Sequence, residues 1–511
     1  MHKKAELHEK KHANVIVYIF LAIFGIIAFS IVLKSTARYG PGISSDALHY
    51  IRTAENLAEG NGFYSYDGKP YTHWPPLFPS LIALLRLIGF NPLDGARIIN
   101  AIGFASVVFF SGMVFAKRIK SPLLIIIGSA SVLTSATMLR VSVYAWTEPL
   151  FALLVILLMF NMSEFLKNDR LKYLIIAAVC AALACLQRYA GIGIAMAGVF
   201  MILLLTPKIK WRDKLKYSII FGAISCVPLG LWFLRNKTVA STAADYTLWL
   251  GPTLLQKIII ALDSLTPWFI SDKISLALRS AIIGALISLL VAAVILRNRK
   301  FRKEQLGDTM FVKAAVVLLV AYSIFVFTAS LYANADADYR IFSPVYVFII
   351  LFLLIGLDAV GKLLGTALKK EWAGHLIITA LCGLWLVFYP LPLVRQNMKY
   401  YTAYGVSGYN STVWRMSPLL NWVKMHPLDG QIFSNEPTPL VFLAGVNAEI
   451  TPSRRSGTED FKKQLLSNKK NYLVWYYRNW RTHLYNFEEL NSMIKLKLVT
   501  QLPDGAVYEI Q

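Results

Sequence analysis

Acidic side chains are scarce in this chain: 29 Asp and Glu stand against 52 Lys and Arg, for a net charge of +23, and charged residues make up only 16% of the 511. With 56% hydrophobic residues and a mean hydropathy of +0.52, that scarcity excludes an ordinary soluble domain and points to a polytopic membrane protein. Cysteine is scarce too. The four, Cys180, Cys185, Cys226 and Cys382, all lie inside apolar runs, which argues against a disulfide framework. There is no repeat of fixed period and no low-complexity segment. No cleavable secretory signal is evident either: the apolar run 14–33 is too long for a signal core and lacks a small-residue cleavage site, so it is expected to be the first membrane span.

What takes the place of acids is a series of basic clusters. A surplus of this size would suit nucleic acid if it formed a stripe on a polar domain. Instead the N-terminal lysines, "KRIK" (117–120), "KNDRLK" (167–172), "PKIKWRDKLK" (207–216), "RNRKFRK" (297–303) and "GKLLGTALKK" (361–370) each abut the end of an apolar run. No nucleic-acid partner is expected. The pattern is that of cytoplasmic loops carrying the positive charge, and it orients the chain in a lipid bilayer.

A span needs about 20 apolar residues. Clear candidates are 14–33, 97–116, 121–139, 148–166, 217–235, 276–296, 310–332, 341–360 and 373–390. The stretch "PPLFPSLIALLRLIGF" (75–90) is short and carries Arg86. Crossing there would move "KRIK" to the outer side, so it is expected to lie on or dip into the outer surface. The run 173–206 has basic clusters at both ends; one span cannot keep both inside, whereas two short spans meeting at Arg188 can. The count is then eleven, with a cytoplasmic N-terminus and an extracytoplasmic C-terminus in the plasma or inner membrane. From about Leu391 the composition shifts. "QIFSN", "NYLVWYY" and "AVYEI" read as strands, "SPLLNWVKMH" and "NFEELNSMIKL" as helices. The expected fold is an all-α polytopic membrane domain over 1–390, including a first outer loop (34–96) with juxtamembrane helices, plus a small extracytoplasmic α/β domain over 391–511.

This topology places several conspicuous polar residues outside. Asp46 stands in "SSDALHYIRTAENLAEGNG" and Glu148 in "VYAWTEPLF"; Arg188 and Tyr189 occupy the tight turn, and "NADADYRIFSP" brings Asp336, Asp338 and Arg340. Plain structural roles exist for each. An acid at a helix start caps it, as Glu148 or Asp338 would, and an arginine pairs with an acid, as Arg97 with Asp46 or Arg340 with Asp338. His73 and Trp74 suit a membrane interface. Ionisable groups at membrane depth are nevertheless costly unless they serve a cavity or path, so four such clusters on one face are expected to form one outward-facing cleft.

The first outer loop "SSDALHYIRTAENLAEGNGF" with "YTHWPPLFPSLIALL", then "DGARIIN", "WTEPLFALL", "CLQRYAGI" and "DYRIFSPVYVFIILFLL", resembles the GT-C superfamily of integral-membrane glycosyltransferases. The resemblance is particularly to the group akin to lipid A aminoarabinose transferases and protein O-mannosyltransferases. One departure stands out: relatives often carry adjacent acids in the first loop, whereas Ala47 follows Asp46 here. The resemblance implies transfer of a sugar from a polyprenyl-phosphate-linked donor to a lipid, glycan or protein acceptor on the outer face. In such chemistry a carboxylate takes the acceptor's proton and fixed cations receive the leaving phosphate. Asp46 is then the expected general base, with Glu148 positioning acceptor or base. Arg188 and Arg340 are the phosphate candidates, followed by Arg97 and Lys69. His49, Tyr50, Tyr189 and His73 line the substrate pocket. Asp46 and Glu148 are also the residues that would hold a divalent metal, Mg²⁺ or Mn²⁺, if one is used.

Two rival classes make different demands. A secondary transporter would show inverted repeats and acids within its spans, and these spans are nearly free of acids. A lipid-linked glycan ligase or polymerase would share the outward cleft and basic residues; the first-loop acid followed by a surface helix argues against it.

Overall fold

The computed structural model describes residues 2–207, 209–244, 253–301, 307–332, 336–454, 470–478, 481 and 483–511, with side chains from Val15 onward except that of Glu371. The side chains of the N-terminal basic cluster, Lys208, and Arg302 and Lys303 of the 297–303 cluster lie outside the described residues. Packing divides the chain into two units. The first comprises Met1–Lys34, Thr72–Ile82 and Gly95–Lys399; the second comprises Ser35–Tyr71, Ala83–Asp94 and Tyr400–Gln511.

The first unit is helical. Among the described residues, eight helical stretches are long and apolar enough to cross a membrane. They are α1 (His2–Ser35, apolar from Val15), α4 (Pro92–Ala116), α7 (Glu148–Asn168), α10 (Trp211–Ala240), α12 (Leu276–Lys300), α13 (Thr309–Tyr332), α14 (Tyr339–Phe342) continuing into α15 (Tyr346–Ala367), and α16 (Glu371–Phe388) continuing into α17 (Pro390–Tyr404). A ninth is a pair, α5 (Pro122–Leu133) and α6 (Ala136–Val143), bent by 46°. The bend has a local cause. Ser135 accepts from the Met138 N–H at 3.3 Å and restarts the helix as an N-cap, while Thr134 Oγ1 donates back to Ala130 O. Two shorter apolar helices, α8 (Leu171–Gln187) and α9 (Gly191–Leu205), meet at Arg188, and α11 (Leu254–Leu265) precedes α12. Each of the eleven expected spans thus has its helix. The stretch 75–90 forms a single short helix, α3 (Leu77–Leu87).

The second unit joins the first outer loop to the C-terminal region, whereas the sequence groups that loop with the membrane part. Backbone and side-chain bonds within the unit account for the joining. Tyr409 N–H donates to Ile43 O at 2.8 Å, and Asn410 Nδ2 donates to Pro41 O at 3.1 Å and to Tyr39 O. The composition shift at Leu391 also falls inside a helical run rather than at its end, because a proline suits the first turn that begins α17.

α2 (Ser45–Ala58) carries the first-loop acid. After α18 (Thr412–Arg415) and α19 (Pro418–Met425), five strands form a mixed sheet in the order β2-β1-β3-β5-β4: β1 (Gln431–Ser434), β2 (Glu449–Ile450), β3 (Asn471–Tyr476), β4 (Leu496–Leu502) and β5 (Gly505–Ile510). β1 pairs in parallel with β2 and β3; β5 pairs antiparallel with β3 and β4. Alternation along the strands makes two cores. Ile432, Val474 and Val507 pack with Leu419, Leu420 and Val423 of α19, and Phe433, Leu473 and Trp475 pack with Leu490 and Ile494. β1, β3 and β5 are the three expected strands. β4 is an addition to the expected strands: the helix expected over 486–496 stops at Met493 and the chain extends.

Candidate functional site

Glu148 is the first residue of α7, and Thr147 before it makes no side-chain cap bond. The carboxylate is fully buried and is not spent on capping. Its Oε1 accepts from Arg188 Nη1 at 2.5 Å and also from Arg340 Nε. Arg188 Nη1 donates in addition to Thr147 Oγ1 at 2.8 Å. The Arg340 guanidinium lies 4.0 Å from the centre of the Trp146 ring, and Trp146 stacks on Tyr144 at 4.1 Å. A guanidinium held between a carboxylate and an indole face is fixed in orientation by both.

Three separate pieces of chain deliver these groups. Arg188 ends α8 in extended backbone, and Gly191 N–H donates to its carbonyl at 2.8 Å. A Cβ at Gly191 would come within 2.4 Å of the Cys185 backbone nitrogen, so glycine alone lets α9 begin hard against the last turn of α8. Gln187 Nε2 donates to Thr147 O at 3.1 Å and ties that turn to the start of α7. Arg340 is placed by Asp338, which caps α14 by accepting from the Arg340 and Ile341 N–H groups at 3.0 and 3.1 Å. Tyr322, fully buried on α13, donates to Ile341 O at 2.8 Å. The capping role suggested for both acids therefore holds for Asp338 and not for Glu148. Burial pushes the Asp338 carboxyl above the ordinary carboxylate range, with the two capping N–H groups and Arg340 opposing the shift.

One carboxylate is shared by two guanidinia. The exposure is uneven as well: the Glu148 side chain has none, while Arg188 and Arg340 keep 17% and 18%. The cluster consequently presents cations, in forks that match phosphate oxygens, to whatever reaches it. A divalent metal does not fit these residues. The Glu148 carboxylate is already held by two cations, and no group of three His, Cys, Asp or Glu side chains that could hold a metal occurs among the described residues.

The other sequence candidates fall as follows. In the first unit, Tyr189 OH donates to Thr72 O at 3.0 Å and its ring lies 5.4 Å from that of Phe233. His73 packs edge-on against Trp74. Arg97 Nη2 donates to Leu33 O at 2.6 Å, near the C-terminal end of α1, where backbone carbonyls lack helical partners. In the second unit, Asp46 is the second residue of α2 and half-buried; Ser44 caps that helix by accepting from the Ala47 N–H at 3.2 Å, so the cap does not need the Asp46 carboxylate. His49 Nδ1 and Ser65 Oγ are 2.5 Å apart, and the His49 ring packs against Tyr66. Tyr50 is buried, and Lys69 is exposed with its Nζ 4.0 Å from Asp67. The structure brings Glu148, Arg188 and Arg340 into direct contact. Trp146, Tyr144, Thr147, Gln187 and Tyr322, which complete the cluster, went unnoticed in the sequence. Trp146 and Thr147 adjoin Glu148 in "YAWTEP", which was a usable signal; Tyr322 inside an apolar helix gave none.

No family model matches the chain, and no curated protein matches it by sequence. Solved structures do. ArnT from Cupriavidus metallidurans in the apo state is 12% identical over 98% of each chain, with a TM-score of 0.57. ArnT bound to undecaprenyl phosphate is 12% identical over 95% of this chain and 97% of that one, again at 0.57. The archaeal oligosaccharyltransferase AglB from Archaeoglobus fulgidus, in complex with an inhibitory peptide and a dolichol-phosphate, is 14% identical over 89% of this chain and 69% of its own, at 0.54. At such identities the likeness is one of fold: the chain has the GT-C fold of membrane glycosyltransferases.

Proposed function

We propose, with the GT-C fold as premise, that this protein transfers a sugar from a polyprenyl-phosphate-linked donor to an acceptor hydroxyl of a lipid, glycan or protein at the extracytoplasmic surface of the cell membrane. The observation that carries the reading is the buried Glu148 carboxylate with two guanidinia fixed on it. Lipid phosphates bound to two solved proteins of similar fold, undecaprenyl phosphate on ArnT and dolichol-phosphate on AglB, support the donor class.

The chemistry needs little beyond these residues. The acceptor oxygen attacks the anomeric carbon, the bond from that carbon to the lipid phosphate oxygen breaks, and the transition state resembles an oxocarbenium ion. Negative charge grows on the departing phosphate. Arg188 and Arg340, held in place beforehand, stabilise it there. Glu148 acts through them as a positioning residue. Asp46 is the proposed general base that takes the acceptor's proton, a task for which one carboxylate suffices despite Ala47. Tyr189, His49, Tyr50 and His73 are proposed to line the sugar, with Arg97 and Lys69 as lesser anion contacts.

The test is Asp46→Asn assayed in membranes. Sugar transfer is expected to vanish while expression and binding of the polyprenyl-phosphate donor stay near those of the parent. Full transfer by this variant overturns the assignment of the base. For the proposed orientation, a cysteine introduced in the C-terminal region should be labelled by a membrane-impermeant reagent from outside the cell; protection there overturns it.

A further inference from the structure

A second concentration of charge lies at the other end of the helices that carry the Glu148 cluster. α15 starts just after Arg340 and carries Asp358 and Lys362 toward its far end; its 22 residues span roughly 33 Å at about 1.5 Å each, close to the thickness of a bilayer core. The α5–α6 pair runs the opposite way, from Pro122 to the residue before Tyr144. At this far end, Arg118, Lys120, Arg297, Lys362 and His375 line a cavity of about 520 Å³ around one carboxylate, Asp358. Asp358 lies 3.6 Å from Arg297 Nη2 and 3.2 Å from His375 Nε2. Among the described residues that line the cavity, Asp358 is the one acid.

Arg118 is the telling member. It is 6% exposed and lines the cavity, yet its guanidinium makes no hydrogen bond among the described residues. Burial and the nearby Arg297 charge hold its pKa below the ordinary arginine value. A buried guanidinium in that state is stabilised by an anion entering the cavity.

The shape of the neighbourhood says what kind of anion. A second cavity of about 580 Å³, lined by Tyr18 and Leu21 of α1, Met113 and Ala116 of α4 and Ile125 of α5, shares Lys120 and Pro122 with the first. Leu123, Trp372 and Leu376 on the rim of the charged cavity are 48%, 66% and 49% exposed. A soluble phosphate would have no use for an apolar groove or an apolar rim; a lipid would use both.

We propose that the paired cavities hold one anionic lipid, its phosphate headgroup among Arg118, Lys120, Arg297 and Lys362 and its hydrocarbon chain in the groove between α1, α4 and α5, in the leaflet opposite the Glu148 cluster. The proposal rests on the chain spanning a membrane and not on sugar transfer, so its test contains neither donor nor acceptor.

The full-length chain, purified and delipidated in detergent, is offered phosphatidylglycerol or phosphatidylcholine and the bound lipid is counted by native mass spectrometry. Selective retention of one phosphatidylglycerol is expected. Two changes separate the halves of the site. R118Q/K362Q, which removes two cations, should weaken retention roughly tenfold or more. A116W, at an exposed position facing the groove, should lower it with every charge intact. Should R118Q/K362Q fail to fold, A116W decides the matter alone. R340K is the control and should retain lipid as the parent does. Equal retention of phosphatidylcholine, displacement of the lipid by millimolar inorganic phosphate, or undiminished retention in a folded A116W or R118Q/K362Q protein overturns the proposal.

Discussion

Two glutamates, one in each unit, are buried to the same degree and keep different company. The side chains of Glu148 and Glu436 both have no solvent exposure. Glu436 accepts from Tyr409 OH at 2.5 Å and from one guanidinium, Arg481, whose Nε lies 3.4 Å away. Burial and the Glu436 charge hold the Tyr409 phenol well above its ordinary pKa. Glu148 is shared by two guanidinia, those of Arg188 and Arg340. The cations differ as well: Arg481 keeps 9% exposure, about half that of Arg188 or Arg340. Burial alone does not separate the two: on the proposed function the carboxylate shared by Arg188 and Arg340 readies cations for a ligand, and the one beside Tyr409 holds the fold.

The strongest test of that contrast is Glu148→Gln. Removing the anion takes away the carboxylate that Arg188 and Arg340 share, at a cost of about 3–5 kcal/mol. Sugar transfer per folded molecule is expected to fall by about two orders of magnitude or more as the arginines lose their geometry. Thermal unfolding in detergent and transfer in membranes read the two effects separately. Glu436→Gln should lose stability on the same scale of about 3–5 kcal/mol while transfer per folded molecule stays near the parent's. If it instead abolishes transfer in a protein that remains folded, the contrast fails.

Arg340→Lys sharpens the comparison on the cation side. The charge remains, but the fork and the flat contact with Trp146 do not. A loss of transfer of roughly tenfold is expected, with little change in stability. Donor titrations that show parental activity would mean that a point charge suffices there.

The smallest effect is a pH dependence. The native Asp338 carboxyl titrates above its unfolded value, so the native state holds the extra proton in that interval. Stability therefore falls as pH rises past about 4, the ordinary aspartate value, and levels off above the raised value. Asparagine caps a helix about as well as aspartate, so Asp338→Asn should flatten this part of the stability profile and shift overall stability by no more than about 1 kcal/mol. Matching melting-temperature profiles for parent and variant across acid pH would remove the buried carboxyl from the account.

Much of this architecture was legible because membranes impose simple rules. Apolar length and the basic clusters located a helix for each of the eleven expected spans, including the short α8–α9 pair, where charge at both ends of 173–206 demanded a turn at Arg188. Within the site, Glu148, Arg188 and Arg340 were named from three distant places in the chain. Their mutual contact was not legible: the sequence pairs Arg340 with Asp338, two residues away, whereas Asp338 caps the backbone and Arg340 turns to Glu148, 192 residues away. Tyr322 and Glu436 escaped notice because a tyrosine in an apolar helix and an acid between short strands carry no local mark of burial. The grouping of the first loop with the C-terminal sheet was hidden for a similar reason. It depends on hydrogen bonds such as Asn410 to Pro41, 369 residues apart, which leave no periodicity.

The shortness of α8 and α9 has one more consequence. At about 1.5 Å per residue their 17 and 15 residues measure roughly 26 and 22 Å, against a hydrocarbon core of about 30 Å. A bilayer meeting such a pair thins or dimples beside it. On the proposed topology, headgroups there would sink toward the Arg188 turn, and the proposed lipid-borne phosphate would reach the arginines by sliding sideways in the plane of the membrane, without first being lifted into water.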